Sequence, residues 1–267
     1  MDKIKHNIDS HDKIAAVYDL KHSEIYNSVE QERLFQLLES LTTQFENPKV
    51  LDYGAGTGNL SIKFLELGCQ VTACDISQKS LDLLAKKNTS KNLETQVFDG
   101  KQVPIPDSSF DIIATYSVLH HVPDYLAAVG EMIRLCKKGG LILIDHEANE
   151  NRWKPDQNLK EWNKLSQMTR LEHIQKLIKT GELFTYEFAK TVYMKIFVDK
   201  RYEREGDIHV WEDDHIEWDK IKSFCLKNNC EILKEHDYLM YIPKAQQFYE
   251  QYKNSCSDTK YMIIRKK

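Results

Sequence analysis

The chain has 267 residues, of which 41% are hydrophobic and 29% are charged, with 10 glycines and 6 prolines. This balance excludes collagen-like, low-complexity and broadly disordered proteins. The 37 basic and 41 acidic side chains give a formal net charge of −4, so a general attraction to nucleic acid is not expected. No stretch approaches a membrane span, and the first residues lack the apolar segment of a secretory signal, which predicts a cytoplasmic protein without membrane insertion.

Helices are predicted before the first strand, where residues 1–41 form an N-terminal helical cap. Ser10 is the candidate N-cap of a short helix that carries Ile14, Val17 and Tyr18. The next helix carries four leucines at helical spacing, namely Leu34, Leu37, Leu38 and Leu41.

Short apolar segments then alternate with helical patterns. This alternation predicts βαβ units and a parallel sheet that is covered by helices on both faces, so the fold class is α/β. Gly68 is expected to stop the first of these helices and Ser77 to cap the second. The predicted strands span residues 50–53, 71–74, 95–98, 111–115, 141–144, 231–234 and 261–264.

The alternation stops between residues 149 and 206, a stretch that is rich in aromatic residues and has more basic than acidic side chains. We expect a mostly helical inserted cap, or lid, that packs over the sheet and forms most of the acceptor pocket. Regular elements return with a helix near 214–228. The chain is then a single domain, 1–267, with a core of residues 42–148 and 207–267.

The sharpest local signal is the glycine-rich turn Gly54-Ala55-Gly56-Thr57-Gly58 between the first strand and the next helix. Glycines permit a tight turn and close approach of a ligand, and the helix N-terminus offers unpaired amides. Two common nucleotide-binding patterns do not fit. Asn59 occupies the third-glycine position of the dinucleotide fingerprint, and no Gly-Lys-Ser/Thr ends the loop as in a phosphate-binding loop.

Three carboxylates follow the first three predicted strands, at the rim where open α/β sheets bind ligands. Asp52 could accept hydrogen bonds from an ammonium group, whereas it would repel a pyrophosphate. Asp75 suits a ribose diol, and Asp99 suits an adenine amino group. Adenosine joined to an amino acid would use all three.

Together these motifs resemble class I S-adenosylmethionine-dependent methyltransferases, and most of all the small-molecule group that includes quinone-biosynthesis, sugar and natural-product enzymes. The resemblance covers roughly residues 48–147. It implies a Rossmann-like, doubly wound seven-stranded sheet with N-terminal helices and a helical cap insertion. It also implies S-adenosylmethionine as cofactor and S-adenosylhomocysteine as product. The matching segments are residues 51–58, 75, 98–99, 110–124 and 134–141.

The resemblance also assigns roles to individual residues. Gly54 and Gly56 would face the methionine part of the cofactor, Asp75 the ribose and Asp99 the adenine. The tyrosines of the N-terminal helices and the tyrosine after the fourth strand would cover it. The predicted cofactor-binding residues are Tyr18, Tyr26, Asp52, Gly54, Ala55, Gly56, Asp75, Ile76, Asp99, Gly100 and Tyr116.

The catalytic candidates are histidines near the strand ends, because imidazole titrates near neutral pH and can remove a proton from an acceptor. His146 follows the fifth strand and His121 the fourth, and we predict both as catalytic, with His120 and His215 as further candidates. Acidic and histidine residues in 145–147 and 209–215 also permit a divalent metal. Helix capping and surface charge explain them better, so no metal site is predicted.

The leading hypothesis is a methyltransferase that acts on an O or N atom of a small metabolite, such as a sugar, lipid-linked or natural-product intermediate. The alternatives are a cofactor-binding regulator or scaffold without turnover, and a protein or nucleic-acid methyltransferase. Thr115-Tyr116-Ser117-Val118 replaces the motif that base-methylating enzymes use after strand four, so no nucleic-acid partner is expected. A small-molecule acceptor is the expected partner, and a homodimer is left open.

Overall fold

The structure, a computed structural model, describes residues 3–15, 18–179 and 181–267. Its strands are β1 (Lys49–Tyr53), β2 (Gln70–Asp75), β3 (Leu93–Val97), β4 (Phe110–Tyr116), β5 (Cys136–Ala148), β6 (Val210–Trp211), β7 (Asp214–His215), β8 (Cys230–Tyr238) and β9 (Thr259–Lys266). Its α-helices are α1 (Lys3–Ile14), α2 (Tyr18–Lys21), α3 (Ser28–Thr42), α4 (Asn59–Glu66), α5 (Gln78–Lys87), α6 (Tyr125–Leu135), α7 (Gln157–Ser166), α8 (Arg170–Lys179), α9 (Tyr186–Phe197), α10 (Trp218–Lys227) and α11 (Gln246–Tyr252).

Seven strands form one sheet in the order β3-β2-β1-β4-β5-β9-β8. Strands β1 to β5 pair in parallel, and β9 runs antiparallel to both β5 and β8. The order reverses between β1 and β4, and such a switch point opens a crevice at the carboxyl ends of the strands. The predicted doubly wound, seven-stranded α/β fold is confirmed.

The sheet separates two hydrophobic cores because neighbouring side chains of a strand point to opposite faces. Leu51 of β1 packs in the core that α6 and α10 cover, while Val50 packs in the core that α3 and α4 cover. Both side chains are fully buried. Burial on both faces explains why the central strands are almost continuously apolar in sequence.

Helix capping agrees with the sequence in one place and differs in another. Ser77 accepts a hydrogen bond from the Ser80 amide at 3.1 Å and caps α5, as predicted. The prediction that Ser10 starts a helix is wrong, because α1 begins at Lys3 and Ser10 is buried inside it. The helix extends further toward the N-terminus because its buried face packs against the rest of the protein. Val17, assigned to the same helix, lies outside the described residues.

The segment between β5 and β6 is largely helical, but its helices differ in what they contact. Leu159 and Trp162 of α7 are buried against a cluster that includes Tyr252 of α11. Large apolar side chains of α8 and α9 face solvent instead, with Leu171 65% and Phe197 72% exposed. The predicted domain and lid boundaries stay a prediction. Among the described residues, no helix is both long enough and apolar enough to span a bilayer.

The chain after this segment departs from the prediction near residue 214. A helix was expected from there, but β6 and β7 form a short antiparallel hairpin, and α10 begins at Trp218. A hydrogen-bonding contact of 2.5 Å between His209 Nδ1 and Asp214 links the two ends of this hairpin. The polar pairing therefore holds residues 209–215 in a turn that helical periodicity alone does not indicate.

Candidate functional site

A cavity opens at the carboxyl ends of β1, β2 and β4, and we call it the glycine-loop cavity. It lies at the switch point of the sheet, where a ligand site is expected. Nine of the predicted cofactor-binding residues line it, namely Tyr18, Tyr26, Gly54, Ala55, Gly56, Asp75, Ile76, Gly100 and Tyr116.

The glycine loop after β1 needs its glycines. Gly54, Gly56 and Gly58 have φ angles of +77°, +51° and +100°, which residues with a Cβ rarely adopt. A Cβ on Gly54 would also lie 2.5 Å from a methyl group of Val118, on the loop after β4. The loop thus approaches the β4 side closely and leaves backbone surface, rather than side chains, against the cavity.

Asp75, at the end of β2, joins the loop to the cavity wall. Its Oδ2 accepts a hydrogen bond from the Gly56 amide at 2.8 Å, and its Oδ1 accepts one from the Ser77 amide at 2.8 Å. Burial raises the pKa of this carboxyl group, and the two amides act in the opposite direction. A carboxylate offers about four acceptor sites, more than the backbone amides occupy, so it can still accept a hydrogen bond from a ligand.

The other two predicted acids are not among the residues that line the glycine-loop cavity. Asp52 lies beneath the loop, where its Oδ2 accepts hydrogen bonds from the Ser61 amide at 2.9 Å and hydroxyl at 2.6 Å. Its burial raises its pKa to about 7. Asp99 is exposed and accepts a hydrogen bond from the Lys101 amide at 2.9 Å, and such backbone bonds lower its pKa.

The N-terminal helices close the cavity from above. Asp19 of α2 accepts a hydrogen bond from the Thr57 hydroxyl at 2.6 Å. The Tyr26 hydroxyl lies 3.3 Å from Thr57 Oγ1. In α1, the Asp12 carboxylate accepts a hydrogen bond from the Ser77 hydroxyl at 2.6 Å. These contacts attach α1 and α2 to the loops after β1 and β2.

Three lining residues of α1 were missed by the sequence reasoning. Ile4, Asn7 and His11 line the glycine-loop cavity, and Asn7 also donates a hydrogen bond to the His121 carbonyl at 3.2 Å. Their spacing of three and four residues places them on one helix face, so periodicity could have found them. Starting the helix at Ser10 hid the pattern.

A second cavity adjoins the first, and we call it the histidine cavity. Tyr18, Ile25, Ser117 and His121 line both, which makes this group the junction of the two spaces. Five histidines and four acids line the histidine cavity, namely His22, His120, His121, His146, His209, Glu24, Glu147, Glu205 and Asp207.

His146, predicted as catalytic, lies in the wall of the histidine cavity with a φ of +63°. Its ring stacks on Tyr116 at a centroid distance of 4.5 Å. The Tyr238 hydroxyl lies 3.0 Å from His146 Nδ1 and donates its own proton to Asp145 at 3.0 Å. Nδ1 must therefore be the donor, which leaves Nε2 as an acceptor. Burial lowers the pKa of His146 to about 4, so the ring is neutral at pH 7.

An ion-pair network fixes the floor beneath His146. Arg33 of α3 donates to Asp145 at 2.8 Å and to Glu30 at 2.5 Å, and its guanidinium lies 4.2 Å from the centroid of the Tyr238 ring. The Tyr116 hydroxyl donates to Glu30 at 2.8 Å. Since all of these side chains are at least three-quarters buried, the network holds β4, β5 and β8 against α3.

The other predicted histidines occupy different environments. His121 borders both cavities, and burial holds its pKa well below the ordinary value. Burial also disfavours the charged form of His120, but the Glu147 carboxylate at 2.8 Å outweighs it and raises the pKa. His215 lines a separate depression beside Trp153.

The sequence of this region matches a known family. Residues 51–144 match the protein family described as "Methyltransferase domain". Residues 51–144 are thus similar to methyltransferase domains. The match begins in β1 and ends in β5, so it contains the glycine loop and Asp75.

The chain is also similar to curated proteins. The uncharacterized methyltransferase YcgJ of Bacillus subtilis is 30% identical over 139 residues, which are 49% of this chain and 54% of that relative. The ubiquinone/menaquinone biosynthesis C-methyltransferase UbiE of Shewanella piezotolerans is 37% identical over 103 residues, 36% of this chain and 41% of that relative. The matched parts thus span about half of these relatives or less.

The fold extends beyond the methyltransferase domain match. A crystal structure of an S-adenosylmethionine-dependent methyltransferase from Methanosarcina mazei aligns with 86% of this chain and 96% of its own, with a TM-score of 0.54 and 18% identity. At that identity the likeness concerns the fold alone. The chain has the Rossmann-like fold of class I methyltransferases.

Proposed function

We propose that this protein is an S-adenosylmethionine-dependent methyltransferase that methylates an O or N atom of a small molecule. The observation that carries the proposal is the junction of the two cavities, where Tyr18, Ile25, Ser117 and His121 line both spaces. One cavity holds the glycine loop of the segment that matches methyltransferase domains, and the other holds two imidazoles that burial keeps neutral, those of His121 and His146. A methyl donor and an acceptor would meet at such a junction.

The glycine-loop cavity fits the proposed cofactor, which supplies a methyl group bonded to a positively charged sulfur. Asp75 would accept a hydrogen bond from a ribose hydroxyl at an acceptor site that the backbone amides leave open. Gly54 would leave room for the amino-acid end, since a Cβ there already meets Val118. Asp52 would act as a positioning residue, because it binds Ser61 at the start of α4 rather than the ligand.

The histidine cavity would bind the acceptor and take up its proton. His146 Nε2 is an acceptor because Nδ1 donates to Tyr238, and the low pKa keeps the ring neutral. His121 is likewise neutral. A neutral imidazole beside a hydroxyl or amine can hold the proton that leaves as the new bond to carbon forms. A hydroxyl or amine acceptor loses a proton when it is methylated, so a neutral base in the cavity suits acceptors that react at O or N.

Calorimetry and turnover assays test the proposal together. We expect S-adenosylhomocysteine to bind with one site per chain, and NAD not to bind. With isotopically labelled S-adenosylmethionine and pools of small metabolites, label should transfer to a small molecule, and His146→Gln should slow that transfer without weakening binding. Binding without any transfer would indicate a regulator or scaffold. Binding of NAD alone would contradict the proposal.

A further inference from the structure

One group of side chains in the histidine cavity is arranged like the protein ligands of a metal ion. One ligand atom from each of His120, His121 and Asp207 lies within 4.8 Å of the other two. His121 Nδ1 is 3.2 Å from Asp207 Oδ1, and His120 Nε2 is 3.9 Å from the same oxygen. Two imidazoles and one carboxylate on one side of an ion form a donor set that divalent transition metals use in proteins.

The spacing is close to what coordination requires. Ligand atoms about 2.0–2.2 Å from an ion lie roughly 3–3.5 Å from one another in tetrahedral or octahedral sites. The separation of His121 and Asp207 is already in this range. A small rotation of the His120 ring would bring its Nε2 within the same range.

The His120 ring is held by a carboxylate behind it. Glu147 lies 2.8 Å from His120 Nδ1, which directs Nε2 toward Asp207. The same carboxylate accepts hydrogen bonds from the amides of Val118 at 2.8 Å and Leu119 at 2.7 Å. Metal-binding histidines commonly donate their second nitrogen to such a carboxylate, which fixes the tautomer and the ring orientation.

His121 supplies an independent observation. Its side chain is 12% exposed, and among the described residues its Nδ1 makes no hydrogen bond of good geometry, its nearest polar contact being Asp207 Oδ1 at 3.2 Å. Buried nitrogen atoms of side chains usually have a partner, because an unsatisfied one is costly. A ligand bound at Nδ1 would satisfy this atom.

Asp207 is held in place by the backbone around it. The amides of Ile208 and His209 both donate to the His120 carbonyl, at 2.9 Å and 3.0 Å. His209 Nε2 also contacts the Val122 carbonyl at 3.1 Å. The loop that carries Asp207 is therefore attached to the turn that carries the two histidines, so the three ligands are presented by one connected unit.

We propose that His120, His121 and Asp207 bind a divalent transition-metal ion such as Zn²⁺, Mn²⁺ or Fe²⁺. Three protein ligands leave coordination positions open, as in metal sites that bind a substrate. Because all three residues line the histidine cavity, those positions face the space assigned to the acceptor. The ion would then bind and orient an acceptor with oxygen donors, a role that rests on the proposed function, whereas metal binding itself does not.

The test is a titration of the full-length protein with Co²⁺ after removal of metal by a chelator and dialysis. Co²⁺ replaces Zn²⁺ in many N/O sites, and its visible absorption reports the ligands. We expect one saturable site per chain with a d–d spectrum, displacement of Co²⁺ by Zn²⁺, and at least 100-fold weaker binding to Asp207→Asn. Asp213→Asn and His215→Gln are matched controls, because both residues lie on the neighbouring hairpin outside the group, and they should bind Co²⁺ as the wild type does.

Calorimetry with S-adenosylhomocysteine separates this inference from the proposed function. Asp207→Asn should keep its cofactor affinity within about threefold, which also shows that the variant is folded. His120→Gln gives a second variant with the same expectation. The metal inference is overturned if Co²⁺ fails to saturate at one site, or if Asp207→Asn and His120→Gln bind it as tightly as the controls. Failure of S-adenosylhomocysteine to bind would instead overturn the proposed function and leave the metal result standing.

Discussion

The rim of the sheet and the outer helix α9, with the turn before it, both contain several aromatic residues, but the protein uses them differently. At the rim, Tyr116 is 8% exposed, its ring stacks on His146, and its hydroxyl donates to Glu30. On α9 and the turn before it, Phe197 is 72% and Phe184 is 80% exposed. Aromatic content therefore did not decide which segment covers the site.

The difference follows from connectivity. The rim residues stand on strands whose ends meet at the switch point, and α1 to α3 fold back onto them through bonds such as Asp12 to Ser77. Among the described residues, those of α7 to α9 line neither the glycine-loop cavity nor the histidine cavity. In the part of the segment that the structure describes, only the two ends reach the histidine cavity, with Arg152 and Trp153 at one end and Glu205 at the other.

The largest expected effect is at the glycine loop. Gly54→Ala places a Cβ 2.5 Å from a methyl group of Val118 at a φ of +77°, so the glycine loop or Val118, both of which line the cavity, must shift. We expect the affinity for S-adenosylhomocysteine, measured by calorimetry, to fall at least 100-fold, which corresponds to about 2.7 kcal/mol.

Gly139→Ala is the matched control for that variant. Gly139 has a φ of +80°, nearly that of Gly54, but a Cβ there meets nothing within 4 Å. Both variants bear the backbone strain of roughly 1–2 kcal/mol, and only Gly54→Ala adds the clash. Equal losses of affinity in the two variants would mean that the loop does not contact the ligand.

The next largest effect distinguishes the acids of the rim. Asp75→Ala should weaken S-adenosylhomocysteine binding by about 1.5–3 kcal/mol, because it removes a charged acceptor from the cavity wall. Asp99→Ala should leave the dissociation constant of S-adenosylhomocysteine within about twofold, since that carboxylate is exposed and lies outside the lining. If Asp99→Ala loses as much affinity for S-adenosylhomocysteine as Asp75→Ala does, the result would support the adenine role that the family resemblance implies for Asp99.

The sequence predicted the sheet and most of the rim because both depend on local patterns. Buried strands, the glycine turn and Asp75 each leave a signal within a few residues. The adenine role of Asp99 stays a prediction, and it depends on a loop in which Asp99 accepts a hydrogen bond from the Lys101 amide. The position of α8 and α9 depends on long-range packing. Neither the conformation of that loop nor the packing of these helices produces a periodic pattern in the sequence, so neither could be predicted from it.

A pH experiment tests the pairing of His22, directly after α2, with Glu205, in the loop before β6, at the wall of the histidine cavity. Burial lowers the pKa of His22, but Glu205 and Glu24 outweigh it and raise the pKa to about 9. The protonated ring therefore stabilises the fold fully below about pH 6.5, and this contribution is lost as the pH rises through 9. Denaturant unfolding should show His22→Gln about 1–2 kcal/mol less stable than wild type at pH 6. This difference in the free energy of unfolding should disappear by pH 10. A difference that stays constant with pH would contradict the pairing of protonated His22 with Glu205 and Glu24.

The smallest expected effect is on α9 and the turn before it, where it tests the lid that the sequence predicted. The double variant Phe184→Ser and Phe197→Ser should keep the cofactor affinity and, within about 0.5 kcal/mol per site, the stability of the wild type, because both rings face solvent. Phe188→Ser, on the half-buried side of the same helix, should destabilise the protein more. If the double variant instead loses methyl transfer more than tenfold while it still binds S-adenosylhomocysteine, the exposed face of this region closes over the acceptor during turnover. The contrast between the buried rim and the exposed outer helices would then hold only for the conformation in which this region does not cover the acceptor.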